Sequence, residues 1–146
     1  MSKAIKMILP AGPTAPAMAR RAVEELEDLP APVAEDAKLL VSELVTNAVE
    51  HGRPDGEEAI ELEVETNVEA LRVAVSDAGP GFTPDRSRRA SCHRGYGLFF
   101  VDCLADRWGV ARDRSRVWFE LDRRPACSNA GARRRAEVEH ARSHHP

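Results

Sequence analysis

Cysteine is scarce in this chain of 146 residues. Cys92, Cys103 and Cys127 are odd in number and show neither paired nor metal-ligand spacing, which argues against a disulfide scaffold or a cysteine zinc site and points to a reduced, cytoplasmic setting. No apolar run approaches the roughly 20 residues that cross a bilayer, so no membrane segment is expected. The N-terminus lacks the basic-then-apolar pattern of a secretion leader. Positive charge is outnumbered over most of the chain. Six Arg against two Glu follow Asp122, so a formal total of -3 leaves about -7 on residues 1–122. An acidic body argues against nucleic acid as a partner. Two familiar phosphate loops are also absent: no Gly-Lys-Ser/Thr follows a Gly-rich stretch, and no Gly-x-Gly-x-x-Gly follows the first strand-like segment.

What is present suits one core. A hydrophobic content of 42% over this length supports a single domain, read here as residues 1–122. Residues 123–146 are small, polar and charged, with almost nothing to bury, and read as a disordered tail. "KAIKMIL" (3–9) alternates in part and ends at Pro10, the pattern of an edge strand. "AMARRAVEELEDL" follows as a helix that Thr14 can cap, with Pro16 in its first turn and a stop at Pro30 and Pro32. A second helix, about 33–51, places Ala37, Leu40, Val41, Leu44, Val45 and Ala48 on one stripe and stops at Gly52. The alternations "AIELEVET" and "LRVAVSD" flank the link Asn67–Ala70 as a hairpin. "GLFFVDCLADR" reads as a third helix, and "WGVAR" with "RVWFELD" as two closing strands. Helices grouped among antiparallel strands imply a two-layer α/β sandwich.

Three short stretches exceed what that architecture needs. In "SELVTNAVEHG" (42–52), Glu43 and Asn47 lie one helical turn apart beside the apolar stripe, aligned with Asp36 and Glu50. Alone, such a pair reads as a solvated helix flank and proves nothing. "DAGPGF" (77–82) puts Asp77 at a strand end, where a carboxylate can accept a hydrogen bond from an exocyclic amine. Gly79 and Gly81 would let the backbone approach a ligand closely. It also fits an ordinary Gly-Pro turn. "RGYGLFF" (94–100) sets Gly95 and Gly97 before a helix, where free N–H groups form a phosphate site or merely a Gly-rich cap.

Together, in this order and separation, the three stretches resemble the N, G1 and G2 boxes of the GHKL ATPase superfamily. "LLVSELVTNAVEHG", "DAGPGF" and "GYGLFFVDCLADRWGV" are most similar to the single-domain anti-sigma factor serine/threonine kinases and their actinobacterial relatives. The resemblance covers residues 4–122. It implies the Bergerat fold, a mixed, mostly antiparallel sheet covered on one face by three helices. It also implies ATP and Mg²⁺ as cofactors. The match makes Asn47 the Mg²⁺ ligand and Glu43 the general base on the attacking hydroxyl or water. It assigns nucleotide contacts to Asp77, Gly79, Gly81, Arg94, Gly95, Gly97 and Leu98. Arg94 is the candidate for the terminal phosphate; Arg88, Arg89 and His93 are further lid cations, and His51 suits the dipole at its helix end.

The resemblance has departures. Relatives often begin the last strand with a Thr near the adenine, where this chain has Ser115 and Arg116, and the lid between Gly81 and Gly95 is short. The function it implies is a kinase that phosphorylates a STAS-type antagonist and otherwise sequesters a sigma factor. A nucleotide-dependent binding module without kinase activity is the alternative. A sensor histidine kinase is disfavoured, because no phosphoacceptor helix or membrane span precedes the domain, and a gyrase-type ATPase because no transducer follows. Single-domain relatives pair, so a homodimer through the exposed first strand is an expectation.

Overall fold

The computed structural model describes residues 2–51, 59–77, 96–111 and 115–124. Eight elements follow in order: β1 (Lys3–Pro10), α1 (Ala15–Glu24), α2 (Ala31–His51), β2 (Ala59–Thr66), β3 (Ala70–Asp77), α3 (Tyr96–Leu104), β4 (Arg107–Ala111) and β5 (Ser115–Asp122). The five strands form one sheet in the order β1-β2-β3-β5-β4, and every described pair is antiparallel. β1 is an edge strand, as its sequence predicts, and Pro10 sits at its end opposite Ala59.

Strand alternation decides which face is buried. Ile60, Leu62, Val64 and Thr66 of β2, Leu71, Val73 and Val75 of β3, and Phe119 and Leu121 of β5 are all buried on the face that the helices cover. The six-residue stripe expected on α2, from Ala37 to Ala48, is buried without exception and packs on β2, β3 and β5. Each fully buried Leu or Val there stabilises the fold by roughly 1.5–3 kcal/mol. Ala15, Ala19 and Ala22 let α1 lie close against α2.

Polar residues occupy the opposite face and satisfy one another. Arg116 meets Glu63 at 2.7 Å, Lys6 reaches Glu61 and Glu63 at 3.1 and 3.4 Å, and Arg107 joins Glu120 and Asp122 at 2.8 and 3.3 Å. The Arg72 guanidinium stacks 4.2 Å from the centre of the Trp118 ring. Arg116 holds the Glu63 carboxyl down to about 2, against the opposing effect of burial, and Glu63 in turn raises Arg116.

The two ends of α1 and the end of α3 differ in detail from the sequence expectation. α1 ends at Glu24 rather than running to Leu29. Glu24, Glu25, Glu27 and Asp28 stack negative charge where the helix dipole disfavours it, and Leu26 turns into the core instead. The last turn tightens through Leu26 N–H to the Val23 carbonyl, 3.1 Å, and Asp28 adopts a left-handed φ of 68°. Thr14 is the N-cap residue but makes no side-chain cap, its φ and ψ being helical; its carbonyl accepts from Met18 N–H at 3.1 Å. α3 stops at Leu104, and Arg107 opens β4.

The ordered contacts extend one residue past Asp122. Arg123 N–H donates to the Glu69 carbonyl at 2.8 Å, and its guanidinium donates to the carbonyls of Asn67 and Asp28 and to Thr66 Oγ1. No helix among the described residues is long and apolar enough to cross a membrane.

Candidate functional site

The connectivity gathers the three sequence stretches at one end of the sheet. β3 finishes at Asp77 and β5 starts at Ser115, and these two are direct partners in the antiparallel register. At the opposite end lie Ala70 and Asp122, also paired, and beside them Asp28, bound by Arg123. α2 starts three residues after Asp28 and leads into β2, whose Ala59 is at the Asp77 end, so the second half of α2 approaches Asp77. α3 leads into Arg107, which pairs with Glu120 near the far end. Its N-terminus therefore also lies at the Asp77 end.

Glu43 and Asn47 sit in that second half of α2. Both are partly buried, next to the fully packed Leu44 and Ala48. Among the described residues neither side chain makes a hydrogen bond or an ion pair. A partly buried carboxylate and amide one turn apart without partners have acceptor capacity to spare. An amide oxygen is a suitable ligand for a hard cation that retains waters and is shared with phosphates, and a carboxylate beside it can accept a proton. The donor set therefore fits Mg²⁺ and a nucleotide.

The other expected residues divide clearly. Asp77 ends its strand as the motif predicts, and of Asp77, Gly97 and Leu98 the structure describes the backbone. Gly97 and Leu98 are the second and third residues of α3, since the helix starts at Tyr96, one residue before the expected start. Their N–H groups belong to the first turn, which has no intrahelical acceptors. Gly79, Gly81, Arg88, Arg89, His93, Arg94 and Gly95 lie outside the described residues. Both residues that open β5 stand by register at the Asp77 end, Ser115 opposite Asp77 and Arg116 opposite Ser76, but the Arg116 side chain is held by Glu63 on the face away from the helices. His51 closes α2, as expected of a residue at the dipole's negative end.

Two features of the α2 surroundings were not anticipated. Arg20 on α1 donates to Ser42 Oγ at 2.8 Å, tying the two helices together one residue before Glu43. Asp36, which helical spacing aligns with Glu43, belongs to the far end of α2. There, burial first, and then the charges of Asp106 and Glu35, push its carboxyl up. Only the fold brings Asp106 near Asp36, so no local pattern could have shown the pair.

Residues 9–120 match the family model of the histidine kinase-like ATPase domain, and the chain belongs to that family. The two-layer sandwich with its five-stranded antiparallel sheet and three helices is the GHKL fold expected from the motifs. Domains of this family bind ATP with Mg²⁺. No curated protein gives a significant match.

Proposed function

We propose that this ATP-binding domain is a protein serine/threonine kinase of the anti-sigma factor type, which phosphorylates a STAS-type antagonist and, when not so engaged, holds a sigma factor. The observation that carries the reading is the Glu43 and Asn47 pair on one turn of α2, without a partner among the described residues, at the sheet end where β3 stops and α3 begins. Bound Mg²⁺ would neutralise charge on the phosphates. Asn47 would hold it through the amide oxygen. Glu43 takes the proton of the acceptor hydroxyl as the new oxygen–phosphorus bond forms and the bond to the departing ADP breaks. First-turn N–H groups of α3, at Gly97 and Leu98, donate to the phosphates, with Gly95 and Arg94 before them. Asp77 accepts the adenine amine, with Gly79 and Gly81 letting the backbone close on the nucleotide.

A base at Glu43 suits a nucleophile that must lose a proton, an acceptor hydroxyl or water, since phosphoryl transfer otherwise needs chiefly positioning and charge stabilisation. The cytoplasm is where such partners and ATP occur. The test is incubation with radiolabelled ATP and candidate antagonist proteins from the same genome. Label on a serine or threonine of one antagonist supports the kinase. ATP binding with no transfer to any of them establishes the nucleotide-dependent binding module instead.

A further inference from the structure

α3 contains nine residues, Tyr96–Leu104. Helices this short are marginal alone, because nucleation is costly and few bonds follow, so tertiary contacts set where α3 lies. Val101 is fully buried, and Phe100 and Leu104 pack against the core. Such apolar contacts are not directional. By themselves they do not fix the helix against sliding along or turning about its own axis.

Directional contacts grip its last turn. Trp108 Nε1–H, from β4, donates to Asp102 Oδ1 at 3.1 Å. Ala105 N–H closes on the Val101 carbonyl at 2.9 Å. Just beyond, Asp106 N–H donates to the Glu120 carbonyl at 3.0 Å, while Asp106 Oδ2 accepts from Asp122 N–H at 2.7 Å. A carboxylate in the last turn of a helix opposes the dipole, so Asp102 costs stability where it stands unless something compensates it. Its compensation is the indole N–H of Trp108, a half-buried ring at the margin of the core with only two side-chain torsions. One end of α3 is thus bolted to β4 and β5. A helix of nine residues is a rod about 13 Å long, so the orientation of its first turn is set by what grips its last.

We propose that Asp102 and Trp108 are positioning residues for the nucleotide, fixing α3 so that the N–H groups of its first turn meet the phosphates. This rests on the nucleotide reading given above. Neither residue touches ATP; both act through the helix.

The experiment compares Asp102→Ala, Asp102→Asn, Trp108→Phe and the double variant Asp102→Ala/Trp108→Phe with the parent chain. Affinity is measured for Mg·ATP and for adenosine, which lacks phosphates, and amide hydrogen exchange of α3 is followed without nucleotide. Expected is a loss of Mg·ATP affinity of roughly three- to tenfold in Asp102→Ala and in Trp108→Phe, the scale of one hydrogen bond. Adenosine affinity should hold, and α3 should exchange faster. The double variant should be no worse than either single one, since both remove the same contact. Asp102→Asn, which keeps an acceptor oxygen, should stay near the parent. A parent that binds Mg·ATP with both single variants unchanged overturns this proposal alone. So does an equal loss of ATP and adenosine affinity, which would mark a merely structural role. A parent that binds neither ligand overturns the nucleotide reading and the proposal with it.

Discussion

The guanidinium of Arg123 donates to the carbonyl of Asp28, a residue 95 positions earlier that holds a left-handed φ of 68°. The same guanidinium also donates to the Asn67 carbonyl, 2.6 Å away, and to Thr66 Oγ1, so one side chain ties β5 to the β2–β3 turn and to the α1–α2 connection. Arg123→Gln should destabilise the fold by about 1–2 kcal/mol, the net worth of one or two such bonds. Arg123→Lys should recover only part, because a point charge cannot bridge two carbonyls as a planar fork does. Urea unfolding gives the answer; a midpoint equal to that of the parent would show the three contacts to be incidental.

The Glu63 and Arg116 pair makes acid stability predictable in sign. Glu63 lies at about 2 in the folded protein against an ordinary 4.5, so its contribution is present above pH 4.5 and is lost as the pH falls toward 2. Both side chains are partly open to water, which limits the contribution to about 1 kcal/mol. Glu63→Gln should therefore lose that amount near neutrality and converge with the parent near pH 2. Denaturant melts across pH 2–6 that show a constant gap would reject the assignment.

Asp36 carries the opposite sign. Its folded value is raised above 3.8 by burial and by Asp106 and Glu35, so the ionised form is the strained one and stability falls as the pH rises through that value. Asp36→Asn should raise stability at neutral pH by on the order of 0.5 kcal/mol, read as a higher Tm, and the gain should vanish below about pH 3.8. A lower Tm at neutral pH would mean that Asp36 does something its surroundings do not reveal.

Periodicity made some parts of the fold legible and left others hidden. The α2 stripe and the residues of β2 follow from strong regular patterns in which every apolar position has one direction to face. The end of α1 does not, because Glu is a good helix former one residue at a time, and only the summed charge near the dipole's negative end and the pull of Leu26 into the core stop it early. Strand order is non-local: nothing in β5 itself says that it inserts between β3 and β4. At the site, Glu43 and Asn47 were visible as a spacing and as a motif, whereas Asp102, Asp106 and Trp108 looked like ordinary residues of a helix end and a strand. Arg123 was hidden by composition, being the first residue of a stretch whose content argued for a solvated tail.

Asp77 stands at the end of β3 opposite Ser115, which leads to a prediction about the base. If its carboxylate accepts the adenine amine, Mg·ATP and Mg·ADP should bind in preference to Mg·GTP, which offers a carbonyl at that position. Asp77→Asn should lose much of the ATP affinity, on the order of tenfold or more for a charge-assisted bond left unmade. Calorimetry with equal affinity for GTP, or an unaffected Asp77→Asn, would contradict this.

The central claim is that one turn of α2 divides the chemistry between a base and a metal ligand. Mg·ATP affinity and phosphate transfer to the antagonist, measured together on Glu43→Gln and Asn47→Ala, test it directly. Glu43→Gln keeps the shape and should bind Mg·ATP like the parent while transfer falls roughly 10²-fold or more, as expected when a general base is removed. Asn47→Ala should lose both binding and transfer. Transfer at the parental rate by Glu43→Gln, or undiminished Mg·ATP binding by Asn47→Ala, would contradict the account.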